Sequence, residues 1–305
     1  MDINEFSTRI VGVYMLLTSF CGILINLYML YYFSKLQKTS FYILCASKTI
    51  SNIFMLLTYF FYVGPVNVLY TPIGPSALNT YVNQMNSFGF YLQGPVTQLM
   101  ITVNRFLVVW ISAAKASKDS KNVTVVVLTI SWVFAIWYST LLGFPDDCRM
   151  QVNFGHVPWT RPPCALEMIY VLIIIIFSLG VFTNILNILI AIKLFILSKY
   201  SKLLSSVSFQ NRRKSRIYLF LQSCFQDWIV VVDILNNFGS NVYCANRTCI
   251  VLVTMGFGVM VYAADGIVMY LFNCKLNSDV NKNSRKLNRD VISPNRRLST
   301  IVPIS

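Results

Sequence analysis

The side chains able to do chemistry in this chain are few, and most of them sit among apolar neighbours. Arg105 closes an apolar stretch, Gln93–Trp110 (QGPVTQLMITVNRFLVVW), that reads as long and apolar enough to cross a bilayer. Asp227, Asp233, Asp265 and Lys48 lie in other apolar runs. Charged groups at such positions persist where they reach water, a partner or a ligand. A guanidinium cannot shed its charge, so Arg105 is either an anchor at a membrane face or half of a releasable lock. The chemistry on offer is charge pairing and hydrogen bonding rather than bond making. The single histidine, His156, falls in a loop, no cluster has metal-ligand spacing, and no nucleophile–base pair is visible. The sequence therefore assigns no catalytic residue, no metal and no cofactor, and an enzyme is not expected.

The elements that must position these groups are apolar rods. The 305 residues are 56% hydrophobic and only 12% charged, against about 25% charged in a soluble domain. The apolar residues fall in long runs, and seven of these can cross a ~30 Å hydrocarbon core. They lie near Ile10–Phe33, Tyr42–Tyr62, Val82–Ile111, Val123–Leu142, Ile169–Leu197, Ile217–Phe238 and Thr248–Leu271. Backbone groups in lipid must be satisfied internally, so these are helices, and the fold class is an all-α seven-transmembrane bundle. Residues 1–9 form a short outer segment, 10–273 the bundle, and 274–305 a basic, Asn- and Ser-rich tail expected to be disordered. Residues Met1–Arg9 include Asp2 and Glu5 and one basic group, so the first span is expected to insert uncleaved.

Lys and Arg set the orientation. With the N-terminus outside, eighteen of them fall in the inner loops and tail and four in the outer segments. That asymmetry implies N-out, C-in. The net charge of +14 thus reads as topology and attraction to anionic lipid rather than as a nucleic-acid site. The third inner loop, roughly Ser198–Arg216, is long and basic.

Polar residues recur inside the spans at helical spacing. Asn86, Gln93, Thr97 and Asn104 form one row in the third span, and Gln222, Gln226, Asp233 and Asn237 another in the sixth. Both rows should point into the bundle and face one another. Lys48, about two turns from the inner end of its helix, is expected to snorkel to the inner boundary. Asp233 could meet a cationic ligand or reach outer water. Asp227 and Asp265 lie deeper and need partners or protonation.

Eight cysteines are present. Cys148 and Cys164 share the second outer loop, Gly143–Met168, and are expected to form a bridge that shapes a lid. Cys244 and Cys249 flank the third outer loop, with pairing left open. Cys21, Cys45 and Cys224 read as packing residues. Cys274, just past the seventh span, is a candidate for acylation. Ser215 and Ser299 each follow an Arg-Arg-x pattern and are candidate phosphorylation sites.

Seven spans, an outer N-terminus, a basic third inner loop and Asn104-Arg105-Phe106 at the inner end of the third span resemble a G-protein-coupled receptor. More narrowly, the chain is similar to the nematode serpentine chemoreceptors of class x (Srx). Gly22–Asn26, Gln98–Val109 (QLMITVNRFLVV) and Arg212–Asp233 carry that resemblance, which covers about Ile10 to Asn273. There are departures from the wider rhodopsin-like pattern. Asn104-Arg105-Phe106 replaces Asp-Arg-Tyr, Asp265-Gly266 stands where Asn-Pro-x-x-Tyr is expected, the sixth span lacks proline, and the third lacks an outer cysteine.

The resemblance implies a chemosensory receptor of the plasma membrane, in a sensory cilium, with a heterotrimeric G protein as partner. A small ligand would enter between spans three, five, six and seven under the second outer loop. Asn86, Gln93, Thr97, Asp233 and Asn237 are the candidate polar contacts, and Tyr91 and Trp159 the aromatic walls. Asn104, Arg105, Asp227 and Asp265 would form the conformational switch, and Arg105, Lys199, Arg212 and Arg213 the G-protein contact. A transporter or channel is the rival class, hinted at by Pro95, Gly256 and Gly258. Ligand identity and oligomeric state are not assigned.

Overall fold

Each long apolar run forms a helix, as backbone chemistry in lipid demands. The structure, a computed structural model, describes residues 3–37, 39–110, 120–141, 163–201, 207–244 and 247–273. Seven rods follow one another. They are α1 (Ile3–Lys35), α2 (Ser40–Leu69), α3 (Ser76–Gln84, then Met85–Phe90 and Tyr91–Trp110), α4 (Ser120–Leu141), α5 (Pro163–Ser201), α6 (Val207–Tyr243) and α7 (Arg247–Val251, then Leu252–Gly256 and residues 257–273).

Local chemistry sets several ends. Thr39 caps α2 by accepting from the Tyr42 amide, and Tyr70, in the left-handed region at φ 55°, stops it. α6 runs through without a break, in keeping with its lack of proline. Its first turns contain Arg212, Arg213 and Ser215, which the sequence had placed in a loop. A segment past the hydrocarbon can stay helical, since a helix satisfies its own backbone in water as well as in lipid. At the other end, residues 3–9 belong to α1, where Arg9 pairs with Glu5 one turn away at 2.6 Å.

Among the described residues, six helices are long and apolar enough to cross a membrane: all but α3. Gln93–Trp110 is thus less apolar than the sequence reading held, yet it forms the third of the seven rods. α3 holds Gln93, Thr97, Gln98, Thr102 and Arg105, and all five are buried inside the bundle. Surrounding helices shield α3 from lipid, so it can be polar. α2 and α7 bury 50% and 56% of their most apolar stretches, whereas α4 and α5 bury 17% and 22%. The exposed sides of α4 and α5 carry Ile130, Val133, Ile174, Phe177 and Phe195, an apolar band suited to lipid.

Consecutive rods alternate in direction, and the apolar clusters show this. One cluster joins Val11 and Met15 of α1 to Tyr59 and Val66 of α2 and to Met255 and Val259 of α7. Another joins Met29 and Phe33 to Leu44, Ile101 and Met269 at the opposite end. α1 and α2 come into backbone contact near the first cluster. A Cβ on Gly12 would stand 2.7 Å from the Val68 nitrogen, and one on Gly64 would stand 2.8 Å from the Leu16 side chain. Small residues permit this approach.

Three rods carry a wider π turn: Tyr59–Val63 in α2, Met85–Phe90 in α3 and Leu252–Gly256 in α7. All three lie toward the end of the bundle where α1 begins. Such turns rotate the side chains that follow by one extra residue, and they re-aim the helix faces there.

Candidate functional site

The centre of the bundle is a polar knot around Lys48. Its Nζ lies 2.9 Å from Oδ1 of Asp265 and donates to Oε1 of Gln98 at 2.7 Å. Oδ2 of Asp265 accepts from Asn52 Nδ2 at 2.6 Å, and Oδ1 accepts from Gln226 Nε2 at 2.9 Å. Gln98 Nε2 donates in turn to Ser223 Oγ at 3.0 Å. Asn52 also reaches Asn26 Oδ1 at 3.4 Å, and Asn26 donates to the carbonyls of Gly22 and Tyr262. One connected network thus ties together α1, α2, α3, α6 and α7. Gly266 makes room for it, since a Cβ there would stand 2.6 Å from Asn26 Nδ2.

Lys48 is only 2% exposed, so the expected snorkelling does not occur. A buried ammonium is tolerable when an anion and a further acceptor take its protons, and Asp265 and Gln98 do so. The signal was available in the sequence: a cation and an anion both at membrane depth invite pairing.

Above the knot, toward the end where α1 begins, lies a cavity. Lys48 and Asn52 of α2, Tyr91, Gly94 and Pro95 of α3, Asp233 of α6, and Tyr262 and Asp265 of α7 are among its lining residues. The space open to the centre of a water molecule is ≈ 30 Å³, room for about two waters. α3 helps shape it by chemistry: Gly94 projects no side chain, and Pro95 offers no N–H to the carbonyl of Tyr91. Asp233, 3% exposed, accepts from the Tyr91 hydroxyl at 3.0 Å. It therefore does not reach outer water.

The two polar rows do not face each other. Gln93 Nε2 donates to Thr97 Oγ1 and to Ser131 Oγ of α4 at 2.9 Å, so this row binds α4. The side of α3 that meets α6 is Gln98 and Thr102, both within reach of Ser223. Of the candidate ligand contacts, Tyr91 and Asp233 line the cavity, while Gln93 and Thr97 turn toward α4. Asn86 is buried in the π turn of α3, outside the cavity lining, with its Oδ1 unbonded among the described residues. Among the described residues the lining includes no side chain of α5, which had been expected to contribute. Asn237 occupies α6, where only its backbone is described, and Trp159 falls outside the described residues.

The four switch candidates do not gather into one lock, although Asp227 joins the Lys48 knot through a hydrogen bond from Gln98. Asp265 belongs to the Lys48 knot. Asp227 accepts from Asn187 of α5. Asn104 is half-buried. Arg105 is 8% exposed, and none of its three guanidinium nitrogens makes a hydrogen bond among the described residues. It stacks its charge over the Phe41 ring of α2 at 5.0 Å. A surface anchor it is not, and the described residues form no ion pair to it. Lys199 on α5, and Arg212, Arg213 and Ser215 on α6, hold helical positions known by backbone alone. Cys148, Cys274 and Ser299 fall outside the described residues. Cys164 is disulfide-bonded. Cys244 and Cys249 are bonded to each other, which clips the end of α6 to the start of α7.

The model of the serpentine type 7TM GPCR chemoreceptor family Srx matches residues 16–273. The chain belongs to the Srx family. No curated protein matches it. Among solved structures, squid rhodopsin is similar at a TM-score of 0.74 and 14% identity, covering 94% of this chain and 88% of that one. At that identity the likeness speaks for the fold, a rhodopsin-like seven-helix bundle. The Srx chain is thus a multi-pass membrane protein of a chemosensory receptor family, and that family is not enzymatic. Within this Srx bundle the residues that the sequence reading missed are Gln98, Thr102 and Ser223, together with the pairing of Lys48 and Asn52 to Asp265. Their signal was polarity at helical spacing, one position away from the row chosen.

Proposed function

We propose that this Srx chain is a plasma-membrane receptor with its N-terminus outside and its tail in the cytosol. A small extracellular ligand enters the cavity between α2, α3, α6 and α7. A heterotrimeric G protein docks at the opposite end, where Arg105, Lys199, Arg212 and Arg213 lie toward the ends of α3, α5 and α6. One observation carries the reading: the cavity floor is the Lys48–Asp265 pair, and that pair is bonded to α3 and α6. A guest that prefers one arrangement of this floor shifts the population of bundle packings by its difference in affinity for the two. The site we propose is a sensory cilium, and membership of a chemoreceptor family supports that reading.

The test is a ligand screen in cells that express the full chain with G proteins of broad coupling. A dose-dependent response that Gly94→Val weakens supports the reading, because that change adds bulk where α3 lines the cavity. Ligand-driven current without G protein would instead favour a channel. Labelling a C-terminal tag on unpermeabilised cells would overturn the orientation.

A further inference from the structure

We infer that the surface between α3 and α5, at the end of the bundle away from the start of α1, binds the headgroup of an anionic phospholipid through Lys193 and Trp110. The site lies on the outside of the bundle and is independent of the cavity and of the G-protein contact. Lys193 of α5 is half-buried, and its Nζ sits over the Trp110 ring of α3, 4.9 Å from the centroid. Among the described residues that ammonium makes no ion pair and no hydrogen bond, and the indole N–H of Trp110 has no acceptor. Phe106 stacks on Trp110 at 5.5 Å and fixes the ring, which is still 46% exposed. The pair thus presents donors and a positive charge, with no acceptor of its own.

The helices around the pair bring no anion to it. α3 and α4 contain no Asp or Glu, and α5 contains only Glu167, near its opposite end. Asp227 of α6 meets α5 at Asn187, about two turns deeper than Lys193, and is itself buried. The neighbouring surface indicates what supplies the anion. Leu107 of α3 and Ile192, Phe195 and Ile196 of α5 are all exposed there, and they continue the apolar band that faces lipid. A tryptophan and a lysine at the close of an apolar run sit at headgroup level, the ring among the acyl chains and the ammonium among the phosphates. A phospholipid offers both halves at once. Its phosphate oxygens accept from the ammonium and the indole, and its chains cover the apolar residues beside them. A headgroup of net negative charge is selected over choline, whose own cation Lys193 repels. A water-soluble anion lacks the apolar half.

The experiment follows the emission of Trp110, taken as the difference between the full-length chain and its Trp110→Phe variant. Both are placed in phosphatidylcholine nanodiscs that carry the same small fraction of a lipid with brominated chains, either phosphatidylserine or phosphatidylcholine. Bromine quenches only the rings it touches, so quenching reports which lipid occupies the surface. Brominated phosphatidylserine should occupy it about fivefold more than brominated phosphatidylcholine, the preference that one basic group at the membrane surface supplies. Lys193→Gln should erase the preference and Lys193→Arg should keep it. Lys35→Gln, which makes the same change of charge on α1, should leave it in place. An excess of inorganic phosphate should not displace the lipid. Four outcomes would each overturn the inference. They are equal quenching by the two lipids in the parent chain, a preference that survives Lys193→Gln, an equal loss with Lys35→Gln, which would mean surface charge alone, and displacement by inorganic phosphate, which would mean a site for free anions. The parent comparison decides by itself if a variant fails to fold.

Discussion

Lys48 and Arg105 are both buried cations, yet the bundle treats them in opposite ways. Around Lys48 nearly every group is engaged: an aspartate, two glutamines, two asparagines and a serine on five helices close on one another, with only Gln226 Oε1 unbonded among the described residues. Around Arg105 hydrogen-bonding capacity is left over. Its three nitrogens lack acceptors among the described residues; both amide atoms of the buried Gln222 on α6 and Oδ1 of Asn187 on α5 likewise make no hydrogen bond there. An unpaired buried donor costs about 1–3 kcal/mol, so a second packing that supplies partners there is favoured by that amount. The contrast separates a buried cation with an anion and an acceptor from one that has neither among the described residues. The unmatched cation lies at the end of the proposed G-protein contact.

The largest expected effect breaks the Lys48 side. Lys48→Met leaves Asp265 buried without its cation and should destabilise the chain by about 3–5 kcal/mol. Thermal denaturation in nanodiscs measures it, and adding Asp265→Asn should recover most of the loss. A single variant as stable as the parent would mean that Lys48 is no more committed than Arg105. Next comes Gly266→Ala, whose methyl group would press on the Asn26 amide at 2.6 Å. Overpacking of this kind costs about 1–3 kcal/mol, and combining it with Asn26→Ala should cost less than the sum of the two.

Arg105→Met sharpens the other side. Removing a charge that makes no hydrogen bond should leave stability within about 1 kcal/mol of the parent, or raise it. The same variant should either uncouple G-protein activation or make it constitutive, as read by a nucleotide-exchange assay. A melting temperature as low as that of Lys48→Met, with normal signalling, would make Arg105 a structural residue. The smallest effect belongs to Gln93→Leu, which takes one interhelical contact from α4. It should cost about 0.6 kcal/mol and leave the dose response unmoved, because Gln93 faces away from the cavity. Gln98→Leu, one turn and a face away, should cost more, since Lys48 then loses an acceptor.

The rods, their order and their long apolar faces were readable from the chain alone, because an apolar run in lipid has one way to satisfy its backbone. So was the presence of a few costly polar groups that had to matter. Two neighbouring polar rows on α3 differ by one residue, about 100° of rotation, and hydropathy treats Gln93 with Thr97 and Gln98 with Thr102 alike. Which row meets α6 is decided by how the helices turn against one another, and three π turns shift that rotation. Asp265 likewise finds Lys48 across most of the chain's length, through a distance that only packing makes short. Local chemistry determined what each segment becomes. Tertiary structure alone determined which charge is matched, which is left over, and where the cavity opens, because these depend on distances between segments that no single segment contains.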